Sequence, residues 1–136
     1  MERPPRLLLI DNDPDLVEAL RIRLEHEGYT CVTACTGAQG LIRFLDDDFD
    51  LVISDLNMPG GDGVDMITRI RETSDVPVVV VTGFRDDYRR SLRSVHNITT
   101  LRKPFQPQSL LSIIEAELAM SQPTDPSPLS AGADES

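Results

Sequence analysis

Four short strand-like runs, each leading into a polar residue, most constrain what this chain can fold into: residues 7–10, 51–53, 78–81 and 98–101. The run at residues 51–53 is apolar throughout and reaches Asp55, and a turn-rich stretch with one proline and three glycines follows. Such a run predicts a buried strand that delivers the carboxylate to its C-terminal tip. If the four strands are parallel, their tips share the sheet edge where ligands bind in open α/β folds. That edge would gather two acids, a hydroxyl and an amine: Asp11, Asp55, Thr82 and Lys103.

The segments between these runs carry apolar residues at helical spacing. Asp13 is predicted to cap the first helix, with Pro14 at its first position and Gly28 as its stop. Three residues of the second helix are predicted to face inward: Leu41, Phe44 and Leu45. Cys31 and Cys35 are too few for a disulfide framework and are interpreted as small side chains buried in or near a strand. Five strands alternating with five helices predict an α/β fold with a parallel sheet covered on both faces.

Length and composition set the class of protein. With 136 residues, 40% of them hydrophobic, the chain can bury one core, which we place at residues 1–121. Residues 122–136 are rich in Pro, Ser and Asp and predict a disordered tail or a linker. The net charge of −10 argues against direct binding of nucleic acid, which needs a basic face. No run is long and apolar enough for a membrane span, and the N-terminus lacks a signal-peptide core, so a cytoplasmic setting is predicted.

Acids that meet at one sheet edge repel each other unless a positive charge lies between them. A hard divalent cation, held by a few oxygens and keeping water and substrate phosphate as its other ligands, would meet that need. Lys103 would add a fixed charge. A carboxylate can accept a phosphoryl group, and phosphoryl transfer needs mainly alignment and neutralised charge. The alternatives are structural: Asp55 as a helix cap, Lys103 as a surface charge and Thr82 as part of a turn.

Four motifs together resemble one known family. They are Leu8-Leu9-Ile10-Asp11, Ser54-Asp55-Leu56-Asn57-Met58-Pro59-Gly60 with Asp62-Gly63 after it, Val81-Thr82-Gly83, and Lys103-Pro104-Phe105. Over about residues 6–120 this set resembles the receiver domain of two-component response regulators. For residues 1–121 the resemblance implies a flavodoxin-like (βα)5 fold, a doubly wound parallel sheet with strand order 2-1-3-4-5. The switch point, where ligands bind, would then lie between Asp11 and Asp55.

The resemblance also implies a role for each site residue. Asp55 would be phosphorylated by a sensor histidine kinase or phosphotransfer protein, and Thr82 and Lys103 would contact the phosphoryl group, with a cis bond before Pro104. The ligands of Mg²⁺ would be Asp11, Asn12, Asp55 and the backbone carbonyl of Asn57. Such a domain assists its own phosphorylation and slow dephosphorylation without being a turnover enzyme. Homodimer or effector contacts would use the predicted fourth helix, fifth strand and fifth helix.

The chain departs from the family pattern at three places. The family has two adjacent acids after strand one, whereas here Asp11 is followed by Asn12, so Mg²⁺ binding is predicted to be weaker. Asp13 comes next but is interpreted as the helix cap. Thr100 stands where the family often has an aromatic switch residue, and residues 94–97 lack the usual Gly-Ala turn. The partner-contact face is therefore predicted to be unusual.

Two other functions stay open on the sequence. The chain could be a degenerate receiver that docks a partner without phosphorylation, which Asn12 and Thr100 would favour. It could also be a phosphatase of the haloacid-dehalogenase type, with Asp11 as nucleophile and Asp13 as acid. Against the phosphatase, Pro14 follows Asp13 where that family prefers Thr or Val.

Overall fold

The computed structural model describes residues 3–56, 62–83 and 95–121. The strands are β1 (Arg6–Ile10), β2 (Thr30–Ala34), β3 (Leu51–Asp55), β4 (Val78–Thr82) and β5 (Ile98–Arg102). They form one sheet in the order β2-β1-β3-β4-β5, and every pairing is parallel. The predicted strand order is confirmed. The predicted helix between β4 and β5, Asn57 and the tail at residues 122–136 lie outside the described residues.

Helices cover both faces of the sheet. Within the described ranges they are α1 (Pro14–His26), α2 (Gly37–Asp46), α3 (Asp62–Thr73) and α4 (Pro107–Ser121), the last being the predicted fifth helix. Alternate residues of β1 enter different cores: Leu7 and Leu9 join the side of α1 and α4, and Leu8 and Ile10 join the side of α2 and α3. This double covering explains the continuous apolar runs. None of these helices is long and apolar enough to cross a membrane.

The residues that begin and end α1 are the ones that the sequence predicted. The Asp13 carboxylate accepts from the backbone N–H groups of Asp15 at 3.1 Å and Leu16 at 3.3 Å, so it caps the helix. Pro14 is the first helical residue. Gly28, two residues past the helix end, has a φ of 102°, a conformation that favours glycine. The cap and the stop are both confirmed.

Helix α2 and the cysteines depart in part from the predictions. Leu45 does not face inward, because its side chain is 62% exposed. The buried stripe of α2 is instead Gly37, Gly40 and Phe44, and Leu45 lies one residue beyond it, near the sheet edge formed by β2. Cys35 follows β2 and is exposed, so its predicted burial is wrong. Cys31 is half-buried within β2, and burial, with the charge of Glu25, raises its thiol pKa to about 12.

Asn97 lies in the turn into β5, in the stretch 94–97 where the resemblance would place a Gly-Ala pair. This residue has a φ of 62°, a left-handed conformation that asparagine tolerates better than most residues. Its side-chain amide donates to the carbonyl oxygen of Asp75 at 2.7 Å, and its own carbonyl oxygen accepts from the N–H of Val78 at 3.2 Å. The neighbouring His96 places Nε2 2.8 Å from Asp75 Oδ1. Asn97 therefore makes the turn without glycine and ties it to the loop before β4.

Candidate functional site

Four polar residues meet at the carboxyl edge of the sheet. Asp11 follows β1, Asp55 ends β3 and Thr82 ends β4, and their exposed fractions are 7%, 4% and 5%. Lys103 follows β5. Because β1 lies between β2 and β3, the chain reverses its winding direction between Asp11 and Asp55, which makes this crevice the switch point.

Lys103 bridges the two buried acids. Its Nζ lies 3.1 Å from Asp11 Oδ2 and 3.2 Å from Asp55 Oδ2, although Lys103 is 48 residues from Asp55 and 92 from Asp11 in the chain. The Lys103 side chain is 28% exposed, against 9% for Asp11 and 4% for Asp55. The ammonium therefore closes the solvent side of a pair of carboxylates that are themselves removed from water.

The backbone on either side of Lys103 fixes where its side chain starts. The Lys103–Pro104 peptide bond is cis, as predicted from the resemblance. The N–H of Lys103 donates to the carbonyl oxygen of Thr82 at 2.7 Å, which holds the end of β5 against the end of β4. In β4, Val81 pairs with Asp55, so Thr82 lies one residue past the partner of the acid. An added Cβ at Gly83 would meet no atom of the described residues within 4 Å, so these residues leave space beside Thr82.

The electrostatics of the crevice favour an added positive charge. Burial raises the pKa of Asp11, and the charge of Asp55 raises it further, while the Asp13 N–H and Lys103 act in the opposite direction. Burial alone would lower the pKa of Lys103, but its hydrogen bonds and charge interactions with Asp11 and Asp55 outweigh it, so that pKa is raised. Two carboxylates thus share one ammonium, and ionised Asp11 remains costly.

The edge supplies few charged ligands for a metal. Asn12 is exposed directly after Asp11, while Asp13 uses its carboxylate to cap α1. Among the residues that the structure describes, no group of three or more His, Cys, Asp or Glu side chains is arranged to hold a metal. Asp11 and Asp55, with the amide oxygen of Asn12, still form a donor set of hard oxygens. Mg²⁺ accepts such a set because it commonly keeps several waters.

A family model described as the response regulator receiver domain matches residues 7–115. The chain belongs to this family. The matched range contains Asp11, Asp55, Thr82 and Lys103, and receivers of this family are signalling domains of two-component systems.

Several curated proteins are similar in sequence to this receiver. The transcriptional regulatory protein GlrR of Escherichia coli is 36% identical over 125 residues, which cover 89% of this chain and 28% of GlrR. The DNA-binding response regulator MtrA of Mycolicibacterium smegmatis is 34% identical over 129 residues, which cover 93% of this chain and 56% of MtrA. The chain therefore spans between about a quarter and just over half of these curated relatives.

Solved structures of receivers have the same architecture. A CheY-like receiver domain protein from Methanospirillum hungatei superposes with a TM-score of 0.82 at 24% identity, covering 86% of this chain and 95% of that one. The response regulator TrrA of Thermotoga maritima, solved in complex with Mg²⁺-BeF, superposes with a TM-score of 0.70 at 30% identity. That superposition covers 82% of this chain and 97% of TrrA.

One buried polar residue beside the site received no role in the sequence analysis. Ser54 is fully buried within β3, and its Oγ donates to the carbonyl oxygen of Asp55 at 3.1 Å. The sequence did carry a signal, because Ser54 is a polar residue in an otherwise apolar strand. Its contact restrains the peptide group of the acid rather than the carboxylate.

Proposed function

We propose that this receiver takes a phosphoryl group on Asp55 from the phosphohistidine of a sensor kinase or phosphotransfer protein, with Mg²⁺. The observation that carries the proposal is the Lys103 ammonium, 3.2 Å from Asp55 Oδ2 in a buried crevice at the switch point. A carboxylate there is shielded from water, and a fixed positive charge stands next to it. These are the conditions that phosphoryl transfer needs.

The proposed step forms one bond and breaks one. A carboxylate oxygen of Asp55 bonds to phosphorus while the phosphorus–nitrogen bond of the phosphohistidine breaks. The electron pair of that bond goes to the imidazole nitrogen, which then takes up a proton from solvent. The product is an aspartyl phosphate and a neutral histidine on the donor. Later attack by water would return the carboxylate and inorganic phosphate, so the domain is a phosphoacceptor and not a turnover enzyme.

Lys103 and Thr82 would receive the charge of the new phosphoryl group. Lys103 already pairs with Asp55 and would transfer this contact to phosphoryl oxygens. Thr82 ends the neighbouring strand and its hydroxyl would donate to another of these oxygens. Gly83 supports this arrangement, because an added Cβ there would meet no atom within 4 Å in the part of the chain that the structure describes.

Asp11, Asp55 and Asn12 would hold Mg²⁺, together with the backbone carbonyl of Asn57. The bound ion would neutralise the charge that two carboxylates and a phosphoryl group bring to one place. The burial of Asp11 next to Asp55 supports a cation site, since burial and the neighbouring charge both raise the pKa of Asp11. TrrA, at 30% identity, was crystallised with Mg²⁺-BeF. Because Asn12 brings no charge, we propose weaker Mg²⁺ binding than a second acid would give.

A groove beside Lys103 supports access by a donor protein. Its volume is about 700 Å³. The described residues that line it come from α1 and from the segments after β4 and β5: Leu16, Ala19, Leu20, Arg23, Gly83, Lys103, Pro104, Phe105 and Pro107. A largely apolar lining with two cations, Arg23 and Lys103, next to the crevice suits a protein surface that presents a phosphohistidine.

The output is proposed from the relatives. GlrR is a transcriptional regulatory protein and MtrA a DNA-binding response regulator, and both are longer than this chain. We propose that the receiver at residues 1–121 controls such an output through homodimer or effector contacts on β5, α4 and the predicted helix between β4 and β5, with residues 122–136 as a tail or linker. Thr100, the position of the family's aromatic switch, is exposed on β5, which supports a contact there.

Intact-mass measurement after incubation with acetyl phosphate and Mg²⁺ tests the proposal. We expect a gain of one phosphoryl group that is lost in Asp55→Asn and strongly reduced when EDTA removes Mg²⁺. If the mass of the folded wild type does not increase, the result would instead favour a docking module that works without phosphorylation, the hypothesis that Asn12 favours. Turnover of a phosphoester that survives Asp55→Asn would point to Asp11 as the nucleophile.

A further inference from the structure

Gly63 occupies a place where glycine needs an explanation. It is the second residue of α3 and it is buried. Glycine forms helices less readily than alanine, so a buried helical glycine implies a local requirement. A positive φ is not that requirement, because the described glycine with a positive φ is Gly28. What remains is the space that a side chain would occupy.

A Cβ at Gly63 would collide with the backbone that carries the proposed phosphoacceptor. It would lie 2.9 Å from Leu56 Cα, 3.1 Å from the carbonyl oxygen of Asp55 and 3.1 Å from Leu56 Cδ2. The first two of these atoms belong to the main chain, which cannot move aside as the end of a side chain can. The first turn of α3 therefore rests directly on the peptide group between Asp55 and Leu56.

Gly40 provides a matched case with a different neighbour. It is also buried in a helix on the same face of the sheet, and its Cβ would lie 2.7 Å from Ile10 Cδ1 and 2.9 Å from Met66 Sδ. Those atoms end flexible side chains. An added methyl at Gly40 thus disturbs the core, whereas the same methyl at Gly63 presses on the main chain of the site.

The peptide group of Asp55 is held from two other directions. Ser54 Oγ donates to the Asp55 carbonyl oxygen at 3.1 Å, and the N–H of Leu56 donates to the carbonyl oxygen of Val81 at 3.3 Å. Lys103 is fixed separately, through its own N–H bond to Thr82 at 2.7 Å. The backbone of Lys103 has its own attachment to β4, so a shift of the Asp55 peptide would move the carboxylate relative to the point where the Lys103 side chain starts.

We infer that Gly63 is a positioning residue for Asp55: its missing side chain lets α3 clamp the Asp55–Leu56 peptide and so sets the carboxylate against Lys103. The inference rests on the proposed function for its effect on phosphorylation. The positioning itself is a statement about geometry and can be measured without phosphorylation.

The test compares Gly63→Ala with Gly40→Ala. Both variants add one methyl in a buried helix, and both are expected to unfold at a lower urea concentration than the wild type. At a temperature where each is folded, we expect Gly63→Ala to be phosphorylated by acetyl phosphate, at saturating Mg²⁺, at least tenfold more slowly than the wild type. Gly40→Ala is expected to stay within twofold. A rate in folded Gly63→Ala equal to that of the wild type, or an equal loss in Gly40→Ala, would overturn the inference.

A spectroscopic readout separates this inference from the proposed function. The ¹³C resonance of the Asp55 carboxyl carbon is expected to shift in Gly63→Ala and to stay in place in Gly40→Ala, both without Mg²⁺. If the wild type takes no phosphoryl group, the proposed function fails, while this resonance still decides the positioning. An unmoved resonance in Gly63→Ala would contradict the positioning role of Gly63.

Ser54→Ala keeps the test decisive if Gly63→Ala does not fold. This variant removes a restraint on the same carbonyl oxygen and adds no atoms, so it cannot overpack the core. We expect a shifted Asp55 resonance and phosphorylation slowed two- to fivefold. Values equal to the wild type in both measurements would show that the position of the Asp55 peptide does not limit the reaction.

Discussion

The carboxyl and amino ends of the strands, here called the carboxyl edge and the amino edge of the sheet, carry similar charged residues with different roles. At the carboxyl edge, Asp11 and Asp55 are buried and share the ammonium of Lys103. At the amino edge, Asp47 and Asp50 meet two cations. There, Asp50 Oδ2 accepts from the N–H of Arg6 at 2.8 Å and lies 3.4 Å from Nη1 of Arg3, and the Arg6 guanidinium pairs with an Asp47 side chain that is 50% exposed.

The two edges differ in how far water reaches the charged groups and in how many charges of each sign they bring together. At the amino edge each charge is partly hydrated, and the Arg6 guanidinium also lies over the Phe49 ring, 5.5 Å from its centroid. Exposed pairs of this kind contribute about 0–1 kcal/mol each. At the carboxyl edge, among the residues that the structure describes, two desolvated acids meet one cation, so negative charge exceeds positive charge. The amino edge thus ties β1 to the chain before β3, while the carboxyl edge keeps a demand for positive charge.

Removing Lys103 should give the largest effect. In metal-free protein, Lys103→Met leaves two buried carboxylates without their ammonium, and we expect a loss of about 3 kcal/mol in the free energy of unfolding. Arg6→Gln at the amino edge should lose less than about 1 kcal/mol. Urea unfolding in EDTA measures both. Equal losses of unfolding free energy would contradict the difference between the two edges. Mg²⁺ should restore more stability to Lys103→Met than it adds to the wild type.

Asn97 tests whether backbone conformation outweighs ion pairs at the amino edge. We expect Asn97→Ala to lose about 2 kcal/mol, because alanine is strained at positive φ and the hydrogen bond to Asp75 is lost. Asn97→Gly should lose roughly 1 kcal/mol, since glycine adopts this conformation freely. Thermal and urea unfolding would show the order. A glycine variant as unstable as the alanine variant would remove the conformational explanation.

Asn12→Asp should increase the negative charge of the carboxyl edge and therefore its affinity for Mg²⁺. A second acid after β1 is expected to tighten Mg²⁺ binding about tenfold, which corresponds to ~1.4 kcal/mol, and to lower the stability of the metal-free protein. Asp13→Asn is the matched control, because asparagine still caps α1. Calorimetric titration with Mg²⁺ should show little change for the control. An unchanged affinity in Asn12→Asp would mean that residue 12 does not face the ion.

The smallest effect should appear in the pH dependence of stability. The pKa of Asp11 is raised by burial and by Asp55, so folding favours its protonated form. The stability that this proton gives is fully present below the ordinary pKa of an aspartate and is lost as pH rises through the raised pKa. Without Mg²⁺, the stability of the wild type relative to Asp11→Asn should therefore fall as pH rises over this window. A difference that rises with pH would contradict the assigned direction.

Much of the fold was predictable because its signals are local. Apolar runs predicted the strands, and Asp13-Pro14 with Gly28 predicted the start and the end of α1. The order of polar residues after the strands indicated which side chains would meet, since parallel strands end at one edge. The four motifs then implied the family and the strand order. Each of these signals is contained within a few residues of one segment.

The tertiary structure decided which surfaces are covered and how closely. Helical spacing could not show that Leu45 faces outward, because the covered side of α2 depends on tertiary packing: Gly37, Gly40 and Phe44 are buried, whereas Leu45 is 62% exposed. Nor could the sequence place Lys103 between Asp11 and Asp55, or Gly63 against the Asp55 peptide. The Lys103 contacts join residues 92 and 48 positions apart at 3.1 and 3.2 Å, and Gly63 leaves room for the main chain of another element. They depend on the order of the strands and on close packing between elements, and neither is contained within any single segment.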